Sequence, residues 1–147
     1  MRECWCYVHP MNYGNAVNTT LPLEAATERV KAILKDEGFG VLCEIDVART
    51  LHEKLGQTFR PYRILGACNP VLAHQALSED GQLGLLLPCN IVVQEEGGHT
   101  IVSAIDAEAM LSVTKNQTLA PIATEVNQRL RRVLDRVTET ACSITGV

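Results

Sequence analysis

Two glycines, Gly97 and Gly98, stand between two apolar runs in the stretch LLLPCNIVVQEEGGHTIVSAI. Glycine enters positive φ without a steric penalty, so a tight loop of this kind closes an antiparallel hairpin. The hairpin joins a strand expected over Leu85 to Glu95 to a partner over Ile101 to Ile105. It constrains the fold more than any other feature, because it fixes one antiparallel pair whatever the rest of the chain does. The first of the two runs is apolar at Leu85-Leu86-Leu87 and again at Ile91-Val92-Val93. An unbroken pattern of that kind predicts a strand covered on both faces, by helices or by a partner subunit.

Upstream of the hairpin, strands alternate with helices. Tyr13 to Thr19 reads as a first strand. Thr20 and Pro22 start a helix, Glu24 favours the positive end of its dipole and Gly38 ends it, with Leu23, Ala26, Val30, Ile33 and Leu34 as the buried stripe. Gly40 to Ile45 is a short strand with Val41, Cys43 and Ile45 on one face, Cys43 being a small core residue. Asp46 caps a second helix in which Val47, Leu51 and Leu55 stack before Gly56. Tyr62 to Cys68 is a third strand. Asn69 and Pro70 then open a third helix, carrying Val71, Leu72, Ala73, Ala76 and Leu77 and closed by Gly81.

After the hairpin, Asp106 caps a short helix through Met110 and Leu111. Thr118 starts the last one, whose stripe is the most regular in the chain: Leu119, Ile122, Ala123, Val126, Leu130, Val133, Leu134 and Val137. The early alternation implies crossover connections. The expected architecture is therefore α+β: a single domain over residues 13–140, with a mixed sheet of about five strands packed against about five helices and a late β-hairpin. Residues 1–12 form an N-terminal extension and 141–147 a C-terminal tail, in which Cys142 lies after the last helix.

At 147 residues the chain fits one domain. Its net charge of −4 gives no general attraction to nucleic acid or to an anionic membrane. No segment approaches the roughly 18 to 20 apolar residues that span a bilayer, and Asn12, Asn15 and Asn18 interrupt the apolar core a signal peptide would need. The expected location is the cytoplasm. The six cysteines are then thiols rather than a disulfide framework. Cys4, Cys6, His9 and Met11 form a short run of soft ligands, the type that suits copper(I) or zinc; it is a weak signal for a four-ligand structural site, set against the reading of a flexible or loosely packed terminus.

The segments LPLEAATERVKAILKDEGFGVLCEID, FRPYRILGACNP, LLLPCNIVVQEEGG and SAIDAEAML together resemble the small bacterial and archaeal family described as domain of unknown function 302. The resemblance covers residues 13 to about 137, and ACNP and LLPCN are its most distinctive parts. It implies a compact α+β fold and a tendency to form homodimers. It implies no activity and no cofactor, and no catalytic residue can be carried over from it. Members of that family begin near Met11 to Tyr13, so residues 1–12 depart from its pattern.

The chemistry the residues themselves offer centres on two Cys-Asn pairs, Cys68-Asn69 and Cys89-Asn90, each beside a proline and an apolar strand. Asn69 and Pro70 are explained by helix capping alone, which leaves Cys68 just outside a helix N-terminus. The partial positive charge there favours the thiolate, which is the nucleophile and the metal-binding form, whereas burial opposes it. Pro88 within a strand points to a bulge or an edge, and a bulge could turn Cys89 towards Cys68. Arg60 and Arg63 flank Tyr62 on the same strand and could hold an anion; His74 and His99 read as surface residues. The leading reading is a thiol-based protein handling a small molecule, through redox or sulfur chemistry, with Cys68 as nucleophile assisted by Cys89 and with Asn69, Asn90, Arg60 and Arg63 as ligand contacts. The alternatives are a soft-metal or small-ligand module using the two thiols with a third group such as His74, and a non-catalytic dimeric interaction domain.

Overall fold

The structure is a computed structural model that describes residues 11–143. Cys4, Cys6 and His9 lie outside the described residues. The elements in chain order are β1 (Gly14–Thr19), α1 (Leu23–Asp36), β2 (Gly40–Asp46), α2 (Val47–Leu55), β3 (Tyr62–Cys68), α3 (Pro70–Glu79), β4 (Cys89–Glu96), β5 (His99–Ile105), α4 (Ala107–Ser112) and α5 (Ala120–Ser143). Short 3₁₀ turns precede β4 (Gly81–Leu85) and α5 (Gln117–Leu119).

The strands form one sheet in the order β1-β5-β4-β3-β2, and each neighbouring pair is antiparallel. The α+β class, the five strands, the five helices and the late hairpin are as the sequence implies; the mixed sheet is not. The reason lies in where each helical connection returns. Asp46 ends β2 opposite Arg63 at the start of β3, and Cys89 starts β4 opposite Ala67 at the end of β3. In both connections the chain re-enters the sheet at the end it left, so a helix in between still joins antiparallel neighbours. Only α1 carries the chain across, from the β1 edge to the β2 edge, and those two strands do not pair.

One face of the sheet holds Val17, Leu65, Ala67, Cys89, Ile91, Val93, Val102 and Ala104, all in the buried core. The α1 stripe of Leu23, Ala26, Val30, Ile33 and Leu34 packs there, as does the α5 stripe from Ala123 to Val137. The helix bounds follow local chemistry. Asp46 Oδ1 accepts from the Arg49 amide, Asn69 Oδ1 from the Leu72 amide and Asp106 Oδ1 from the Ala109 amide, three N-caps at the expected places. Gly97 and Gly98 both have positive φ, 60° and 80°, as a tight hairpin turn requires.

Four expectations are corrected. β4 begins at Cys89, not Leu85, because the preceding residues close a 3₁₀ turn and Leu85 is 84% exposed. Pro88 therefore precedes the strand and makes no bulge in it. β4 is also not enclosed on both faces: its residues alternate, with Ile91 and Val93 fully buried, Asn90 exposed and Val92 intermediate. Cys43 is exposed rather than core. A register shift between Val41 and Cys43 puts Val41 opposite Ala67 on the helix side and Cys43 opposite Gly66 on the other, since one inserted residue reverses the alternation. Finally, α5 continues through Cys142 to Ser143, in keeping with a sequence that has no helix breaker before Gly146.

Candidate functional site

Where β3 finishes and β4 begins, the end of the sheet is roofed by α3, the 3₁₀ turn before β4, α4 and α5. A cavity of about 280 Å³ lies beneath them. Its wall includes Phe39 and Leu42 at the start of β2, Cys68 and Asn69 at the end of β3, Cys89 at the start of β4, Leu72 and Ala73 from α3, Leu83 from the 3₁₀ turn, Met110 from α4, and Ile122 and Val126 from α5. Among the described residues no Asp, Glu, Lys, Arg or His lines it. Leu42, thrown outward by the β2 bulge, and Leu77 are exposed apolar groups on its margin.

Both thiols line this one cavity, but on different terms. Cys89 is buried on the helix face beside Ala67, and desolvation, with a smaller contribution from the neighbouring Cys68, pushes its thiol up to about 11. A group so shifted stays protonated and neutral at neutral pH. Cys68 is half-buried, one residue beyond Ala67 at the end of β3, and lines the cavity as well. Both are free thiols in the structure. The arrangement offers a half-buried thiol and a buried, protonated one in the same cavity wall.

Asn69 is 8% exposed, and its Oδ1 is committed to the α3 cap at 3.2 Å from the Leu72 amide. Close packing explains Gly66 within β3. A Cβ there would lie 2.5 Å from Cys43 Sγ and 2.9 Å from Pro88 Cγ, so the Cys43 thiol and the Pro88 ring close over bare backbone.

The other sequence-predicted residues are elsewhere. Asn90 is exposed on the opposite face, opposite Gly66. Arg63 lies five residues from Cys68 along β3, roughly 17 Å away at ordinary strand rise. It is bound by Glu24, through Nη1 at 2.9 Å and through Nη2, and by Glu44 at 3.5 Å. A guanidinium already paired with two carboxylates has little left for an external anion. Arg60 stacks 4.7 Å from the Phe59 ring centroid and gives its Nε to Gln94 Oε1 at 2.8 Å. His74 and His99 are exposed. Among the described residues no three His, Cys, Asp or Glu side chains gather as a metal site would need, so the two thiols have no third ligand there. No helix among those residues is long and apolar enough to cross a membrane.

Sequence reasoning placed Cys68, Asn69 and Cys89 but missed Phe39, Leu72, Leu83, Met110, Ile122 and Val126 as cavity residues. No local signal could have found them, because a residue lining a void carries the same apolar pattern as one packed solidly in the core.

The family profile described as "Domain of unknown function DUF302" matches residues 15–137. The crystal structure of an uncharacterized conserved DUF302 protein from Bacillus stearothermophilus superposes with a TM-score of 0.80 at 34% sequence identity, over 84% of this chain and 97% of the other. No curated protein matches.

Proposed function

The chain belongs to the DUF302 family, whose description carries no activity, and from the cavity we propose that it handles a small molecule through the Cys68 thiol, with Cys89 beside it. The observation that carries this reading is that both cysteines sit in the wall of a single apolar cavity at the start of α3. Cys89, held protonated by burial, serves as a neutral wall group, and Cys68 is the thiol that meets the bound molecule. A half-buried thiol beside a helix N-terminus supplies nucleophilic chemistry towards an electrophilic or disulfide-bearing molecule. Cys43, Cys68 and Cys89 are free thiols, which suits a reducing compartment such as the cytoplasm.

The test is alkylation of the native protein with iodoacetamide at neutral pH, followed site by site by mass spectrometry. Glutathione alkylated under the same conditions serves as the reference for an ordinary thiol. Cys68 is expected to react in the folded protein, and Cys89 only after unfolding. Should Cys68 stay blocked until the protein unfolds, the thiol reading is lost.

A second reading, a homodimer, has its own observation. On the sheet face away from α1 and α5, Ile45, Ile64 and Val92 stand side by side across β2, β3 and β4. Ile45 is 45% exposed, and Ile64 and Val92 are partly exposed. Such a row gains from burial against a second copy. Its readout is the mass of the particle in solution.

A further inference from the structure

We infer that the molecule this cavity takes is uncharged and apolar, an aliphatic or aromatic body with at most a neutral polar end. This rests on the reading of the cavity as a ligand site and names the class of ligand. Three observations carry it. Among the described residues the wall contains no Asp, Glu, Lys, Arg or His, and its one side-chain amide, Asn69, has its oxygen engaged by the Leu72 amide. A carboxylate, phosphate or ammonium entering such a wall would give up its hydration with no counter-charge to replace it. The volume, about 280 Å³, stands just below the roughly 300–1,000 Å³ range of ligand pockets, which suits a compact molecule rather than a peptide. Leu42 and Leu77, 69% and 40% exposed at the margin, are apolar surface that such a molecule would cover.

The charged alternatives on this chain lie apart from the cavity. The second cleft, at the far end of the sheet, includes Glu24, Asp46, Arg49, Arg63 and Glu95. Its arginines are paired, Arg63 with Glu24 and Glu44 and Arg49 with Glu53. A charged ligand would have to displace those partners.

The experiment compares 1-octanol, octanoate and octylamine as probes at neutral pH by calorimetry, on the full chain and on an Ala73→Phe variant. Ala73 is half-buried on α3 with its side chain in the wall, so a phenyl group there occupies the cavity from its edge. Octanol is expected to bind, with both ionised probes weaker by at least about tenfold. Ala73→Phe is expected to abolish octanol binding with the melting temperature unchanged or raised. If octanoate or octylamine binds as tightly as octanol, the uncharged class is wrong while the ligand site stands. If octanol fails to bind, or binds Ala73→Phe as well as the parent, the inference is overturned outright. If Ala73→Phe unfolds, Leu72→Trp, which also lines the cavity from α3, takes its place with the same two outcomes. The alkylation of Cys68 uses none of these probes, so failure of the thiol reading is seen separately.

Discussion

At the residue scale, the two cysteines show how little a shared motif says about shared environment. Cys68-Asn69 and Cys89-Asn90 read alike, yet Asn69 is a buried cap and Asn90 an exposed residue on the other face of the sheet. The difference is position: one pair closes a strand into a helix, and the other opens a strand. Cys89 makes a prediction of its own. Its thiol is raised in the folded state from the ordinary 9.0 to about 11. The unfolded chain therefore releases this proton first as pH rises. The sign follows: the contribution is complete below about pH 9 and is lost as pH climbs towards 11. A shift of that size corresponds to something on the order of 2–3 kcal/mol. Urea unfolding between about pH 9 and pH 11 should show a steeper loss of stability in the parent than in Cys89→Ala. Equal slopes would mean that Cys89 does not carry this titration.

At the scale of the element, the caps were legible and the exposed faces were not. Asp46, Asn69 and Asp106 each accept from the amide three residues on, which their sequence positions foretold. Asp106 has more support than a cap alone. Burial works to raise its carboxyl, but Asn127 Nδ2 and the amides of Ala109 and Glu108 outweigh that and hold it below the usual range. For α3, Asn69→Ala should cost about 1 kcal/mol, within the usual 0.5–2 kcal/mol for a lost cap. Denaturant midpoints check this, and Asn69→Asp, which keeps an acceptor, should recover most of it. The apolar stripes of α2 and α3, by contrast, promised more burial than they received. No residue of α2 is buried, and of α3 only Ala76 is. Periodicity reports which residues share a face; it does not report whether anything covers that face.

At the scale of the molecule, the sheet has two unlike faces, and the proposed dimer belongs to the second. An Ile64→Lys substitution places a charge in the middle of the Ile45–Ile64–Val92 row while leaving the α1 and α5 core untouched. If that face joins two copies, the parent should sediment as a dimer and Ile64→Lys as a folded monomer. A monomeric parent, or an unchanged dimer in the variant, removes the proposal. Cys43, exposed on the same face opposite Gly66, should lose reactivity towards alkylating reagents in the dimer.

What the sequence determined by itself is local: turn glycines at Gly97 and Gly98, caps at Asp46, Asn69 and Asp106, the stripes of α1 and α5, and thus an α+β domain with a late hairpin. These follow from φ preference, side-chain hydrogen bonding and periodicity, all set within a few residues. Tertiary structure decided the rest. It made every strand pair antiparallel, because strand direction depends on which end of the sheet a connection returns to, and no residue in the connection encodes that. It turned Cys43 outward through one extra residue at Leu42, a shift visible only against a partner strand. And it brought Cys68 and Cys89 to one cavity while leaving Asn90, Arg60 and Arg63 outside it, since a void is defined by what fails to fill it from several elements at once.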